Sequence, residues 1–163
     1  MGKYGLTGKY FYRIGDTGSW SDFTTIAGVR VLSIDGIDER GEAVNVYNAQ
    51  WIESETEDCV VVDENNKIIR KNVDINLTLA VSRRYTVSEN IDEQSTYDTM
   101  ISTLCESGDI YLKSTYVNKI VHVVCLKAVK PTKVKLNRGR NSIILATIPF
   151  HILEPPTTVS NNG

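Results

Sequence analysis

The sequence predicts a mainly β protein: an antiparallel β-sandwich or barrel-like domain with one flanking α-helix at about residues 95–106. Three observations carry that reading. Val73, Ile75, Leu77, Leu79 and Val81 alternate with Asp74, Asn76, Thr78 and the small Ala80, the period of two expected of a strand with one face in a core. Seven shorter β-rich runs, bounded by Gly, Asn, Asp, Lys or Pro, are spread over the rest of the chain. Only one segment repeats its apolar residues at the three-and-four spacing of a helix, and 163 residues suffice for one sizeable core.

In chain order, the first run covers 10–14 and is rich in aromatic residues; the second covers 29–34 and stops at Asp35-Gly36. Runs at 44–52 and 59–62 follow. The cluster Asp63-Glu64-Asn65-Asn66-Lys67 reads as a hairpin tip, because Asn tolerates positive φ and bonds its own backbone. The alternating strand at 73–81 comes next. In the helix, Tyr97, Met100, Ile101 and Leu104 share one face, Asp92 or Ser95 caps the start, and Gly108 closes the end. Three strands follow, at 110–113, 120–129 and 142–150. Pro155 and Pro156 mark the start of an expected disordered tail over 155–163, leaving 1–154 as a single domain without internal repeat or linker.

Eighteen Lys and Arg balance twenty Asp and Glu, for a net charge of −2 and a pI near 5.7. This argues against a dedicated nucleic-acid or acidic-membrane binder. No apolar run approaches the roughly 18–20 residues that span a bilayer, and the first fifteen residues lack a signal-like apolar stretch, so a soluble chain is expected. Gly2 invites lipidation, but the pattern wants Ser or Thr where this chain has Leu6. Cys59, Cys105 and Cys125 are odd in number and widely spaced, as expected of reduced, mostly buried thiols.

The charge is segregated along the chain. Ten acids lie between Asp35 and Glu64 against Arg40 alone, and eight bases lie between Ile110 and the end against Glu154 alone. Solvated faces or cross-strand pairing within one chain would account for this, as would head-to-tail complementarity between identical subunits. The second alternative makes Glu53, Glu55, Glu57 and Asp58 of one subunit approach Lys130, Lys133, Lys135, Arg138 or Arg140 of the next.

Catalytic patterns are thin. Asp16-Thr17-Gly18-Ser19 has the form of an aspartic-protease loop, yet no later apolar-apolar-Gly segment stands ready to buttress it, and the same residues suit a plain turn. His122 and His151 lack partners at metal-ligand spacing, and no nucleophile triad is visible. The glycines at 2, 5 and 8 do not form a phosphate loop. No catalytic residue, metal or cofactor is therefore expected. Tyr4, Tyr10, Phe11, Tyr12, Trp20 and Phe23 crowd the first 23 residues and read as core or subunit contact before sugar platform.

The last third carries a family likeness. A helix ending in Leu104-Cys105-Glu106-Ser107-Gly108, a strand Asp109-Ile110-Tyr111-Leu112-Lys113, an aromatic turn at Tyr116, a long strand over 119–129 and a closing run over 142–150 with Pro149 and Pro155 together resemble bacteriophage distal-tail and tail-tube proteins. Gly28-Val29-Arg30 to Gly36-Ile37, the acidic hairpins and the 73–81 strand fit the same order of elements. The resemblance implies a non-enzymatic virion protein: a β-sandwich with one helix, assembled with itself as a hexameric ring. DNA would pass through that ring without specific binding, and other tail or baseplate proteins would be neighbours. The alternative is a non-enzymatic β-sandwich binding or adaptor module, such as a carbohydrate-binding or secretion-tube component.

Overall fold

In a computed structural model, residues 9–40, 46–50, 56–60, 71, 73–86, 90–136 and 141–159 are described. The chain falls into two compact units, one formed by residues 1–38 and 74–163 and the other by residues 39–73. In chain order the second unit falls between β-strands of the first.

The larger unit is an antiparallel sheet that curls into a half-barrel with a single helix. Its strands are β1 (Tyr10–Ile14), β2 (Ser21–Asp22), β3 (Val29–Asp35), β6 (Ile75–Val81), β7 (Asp109–Ser114), β8 (Lys119–Val124), β9 (Thr132–Leu136) and β10 (Asn141–Thr158). The other unit contributes β4 (Val46–Gln50) and β5 (Thr56–Val60), an antiparallel pair. Across the large sheet the order is β2-β1-β7-β8-β10-β6-β3, with β9 also paired to β10.

Strand β10 explains the curl. Its first part, Ile144 to Phe150, pairs with β6, and its last part, His151 to Thr158, pairs with β8, with bulges after Ile152 and Glu154. Bulges add local twist, so one long strand serves two sheet directions. Pro155 and Pro156 fall within the second bulge, where no ladder N–H is required. The strand thus runs four residues into the tail expected from 155, and residues 160–163 lie outside the described ones. Along the same edge, β8 and β9 are two pieces of one line. Their pairing to β10 stops between His151 and Leu145, an interval containing Pro149, which has no N–H to give.

Period-two burial builds the core. Ile144, Ala146, Ile148, Phe150 and Ile152 of β10 face in, with Ile75, Leu77, Leu79 and Val81 of β6, Ile110 and Leu112 of β7, and Val121 and Val123 of β8. The helix α1 (Glu93–Cys105) closes one side, burying Tyr97, Met100 and Leu104 against β6 and β10. Its cap is Asp92, which accepts from the Gln94 N–H at 3.1 Å. Glu93 fastens the helix to its surroundings: it accepts from the Arg83 N–H at 3.2 Å and from the Ser142 hydroxyl.

Candidate functional site

Two features stand out on the larger unit. One is the outer face of β1, β7, β8 and the end of β10. Arg13, Tyr111, His122 and Glu154 lie directly opposite one another in these four strands. Alternation sends their neighbours Tyr12, Leu112 and Val121 inward, so the row forms on the other face. The Arg13 guanidinium sits 4.3 Å from the Tyr111 ring centroid and 4.8 Å from that of Trp20. Tyr111 and His122 stack at 4.2 Å with planes 4° apart. In the next row, Lys113 Nζ lies 4.5 Å from the Phe11 ring and 4.4 Å from Trp20.

The polar groups around this face are unevenly matched. Asp109 meets His122 Nε2 at 2.5 Å, and this contact holds the Asp109 carboxyl below its usual pKa. Glu154 lies 3.6 Å from His122 Nδ1, too far for a hydrogen bond, and that nitrogen is buried without a partner. Because the two acids address opposite nitrogens of one ring, they do not converge on a common ion. Among the described residues, no group of three or more His, Cys, Asp or Glu is arranged to hold a metal. The Tyr111 hydroxyl donates to Asp16, which raises the phenol pKa, reinforced by burial. Arg13 Nε is buried without a partner. Burial, then the charge of Arg13, lowers the Lys113 pKa.

The second feature is an open cleft of about 580 Å³ where the curled sheet fails to close. Its walls come from the start of β1, the 3-10 turn Phe23–Thr25, β3 and the 3-10 turn Arg83–Tyr85. Tyr10 and Tyr116 meet there with ring centroids 5.1 Å apart, and Arg30 lies 4.2 Å over the Tyr85 ring. Burial, then Tyr116 and Asp35, raise the Tyr10 pKa against the opposing Ile34 N–H, so β1 and β3 face each other although they lie near opposite ends of the sheet. At the rim, Lys9 pairs with Asp22 at 3.2 Å. Burial opposes ionisation of Asp22, but the Thr24 N–H and hydroxyl, with Lys9, outweigh it and lower its pKa. Strand β3 pairs only with β6 among the described residues, and its bulge residue Leu32 is 53% exposed.

The residues that the sequence proposes for a subunit contact are distributed over both units. Glu57 and Asp58 lie in β5; Lys133 and Lys135 lie in β9, and Lys130 is exposed before it. Glu53, Glu55, Arg138, Arg140 and the expected hairpin tip at 63–67 lie outside the described residues. In Asp16-Thr17-Gly18-Ser19, Asp16 and Thr17 belong to the turn that follows β1 and Gly18 to a bend after it, with Asp16 engaged by Tyr111. Cys105 and Cys125 are half-buried free thiols in mutual contact; burial, then Cys125, pushes the Cys105 pKa up to about 12. No helix among the described residues is long and apolar enough to cross a membrane.

The Arg13–Lys113 pairing is absent from the sequence reading. The two residues are a hundred positions apart, and only the β1–β7 register brings them together. Alternation within Tyr10-Phe11-Tyr12-Arg13 is the one local signal, since it sorts Tyr10 and Tyr12 to the core and Phe11 and Arg13 to the outer face. The chain matches no family model, and no curated protein matches it closely enough to identify a relative.

Proposed function

We propose that this chain is a non-enzymatic structural protein of the phage-tail type, which joins copies of itself in a ring around the DNA channel at the tail tube or its distal end. The observation that carries this reading is the unclosed sheet. It ends in the two-residue strand β2 on one side and the seven-residue strand β3 on the other, with no further strand beyond β3 among the described residues. Apart from the Ile34 N–H that Tyr10 engages, an edge of that length offers unpaired backbone groups that a neighbouring subunit can cover, and cyclic head-to-tail contact covers one in every copy. The order of strands, inserted acidic unit, helix and closing strands supports the same assignment. In this reading the protein resides in the virion tail after assembly in the host cytoplasm, with other tail or baseplate proteins above and below.

A binding or adaptor module is the second reading, favoured by the aromatic-lined cleft between β1 and β3. Solution mass by light scattering, combined with negative-stain imaging over a concentration series, separates the two. Annular particles are expected. A monodisperse species of 18.2 kDa at every concentration overturns the ring reading and leaves the binding module.

A further inference from the structure

Arg13 and Lys113 are half-buried cations that converge on one indole, and neither has a carboxylate partner among the described residues. No acid among the described residues contacts either cation: Asp16 accepts from Tyr111, Asp22 from Lys9 and Thr24, Asp109 meets His122, and Glu154 stands 3.6 Å from the His122 Nδ1. Two like charges held together with an orphaned buried N–H are costly unless an anion completes them. The depressed pKa of Lys113 registers that cost.

Cations already lie against the aromatic rings here. Tyr111 is sandwiched between Arg13 and His122, Phe11 faces Lys113, and Trp20 faces both cations. What is left unmatched is the cationic N–H groups, and these call for an anion. The chain itself supplies the matching chemistry. Residues 39–73 carry eight acids against Arg40, Lys67, Arg70 and Lys71, whereas the rest of the chain carries fourteen bases against twelve acids. We infer that Arg13 and Lys113, gathered over Trp20, are the docking point for the acidic inserted unit of a second copy, with Glu57 and Asp58 among the carboxylates received.

This inference rests on the self-assembly reading and replaces the basic partner that sequence alone nominates. Lys130 and Lys133 are exposed, and a solvated lysine contributes little to a contact, whereas a half-buried Arg-Lys pair discriminates strongly between an acid and its absence.

The test uses full-length protein and reads association by light scattering. R13E/K113E and E57K/D58K should each weaken association about tenfold or more, and an equimolar mixture of the two should restore it, since each then supplies what the other lacks. K133E/K135E should leave it near wild type. R13Q/K113Q, which removes the charge without inserting acids, should also weaken association, with the circular dichroism melt confirming the fold. If wild type associates and the Arg13 and Lys113 variants do so equally well, the docking point is overturned and the ring reading stands. Restoration only when all four reversals share one chain overturns it in favour of contact within a subunit. Binding of a single-stranded oligonucleotide that R13Q/K113Q abolishes overturns it in favour of nucleic acid. A wild type that never associates overturns both.

Discussion

Gly36 and Gly108 show how one atom's surroundings decide what a residue can be. Both hold positive φ, +94° and +85°, where any L side chain is strained by roughly 1–2 kcal/mol. Around Gly108 an added Cβ meets nothing within 4 Å, so Gly108→Ala should cost about that strain alone. At Gly36 the same atom falls 2.4 Å from the Asp74 carbonyl oxygen, a backbone group anchored where β6 begins. Gly36→Ala should therefore cost on the order of 3 kcal/mol or more, as one of the severe backbone substitutions. Urea denaturation of the two variants checks the order; equal midpoints would mean that the β3–β6 return is looser than this contact requires.

At the level of elements, helix α1 is where local pattern and packing agree most closely. Its Asp92 cap and the inward residues Tyr97, Met100 and Leu104 are all legible as spacing, and Leu104 is 0% exposed. Leu104→Ala should lower stability by about 2–5 kcal/mol, read from the denaturation midpoint; an unchanged midpoint would remove the helix from the core. The strands that period two reveals most clearly, β6 and the first half of β10, are those with one whole face buried. Strand β2 has only two residues and leaves no period to read. Strand β9, Thr-Lys-Val-Lys-Leu, does alternate, but its two lysines draw attention to charge instead of pairing. The end of β8 at Val124 and the continuation of β10 to Thr158 were hidden for one reason: bulges and prolines redistribute a long edge between partners, which depends on register and not on composition. The outer-face row was illegible for the same reason, since Arg13, Tyr111, His122 and Glu154 share nothing local.

At the scale of the whole molecule, the two units are related by chain path. Ile34 pairs with Leu77 and Asp35 with Asn76, so β3 and β6 form a hairpin, and the Gly36 contact with Asp74 keeps its two arms together beyond the last pair. The inserted residues 39–73 are the loop of that hairpin. Among the described residues, the core residues Phe23, Val29, Ile34, Ile37 and Ile75 to Ile152 belong to the larger unit. Replacing 39–73 with Asn-Gly should thus leave a chain that folds cooperatively. Between the last paired residues, Asp35 and Asn76, the loop shortens from 40 residues to seven, about two and a half doublings of loop length and a gain of roughly 1.5 kcal/mol at about 0.6 per doubling, set against any strain in the new turn. The shortened chain should retain its circular dichroism signature and a single melting transition close to that of the full chain. It should also lose self-association, because its Arg13–Lys113 cluster no longer finds an acidic insert on a neighbour. Adding full-length protein should recruit it into mixed assemblies, since the intact copy's acidic unit remains available to it. A shortened chain that fails to fold would make the insert part of the larger unit's stability, and one that folds and still assembles alone would separate assembly from the acidic unit altogether.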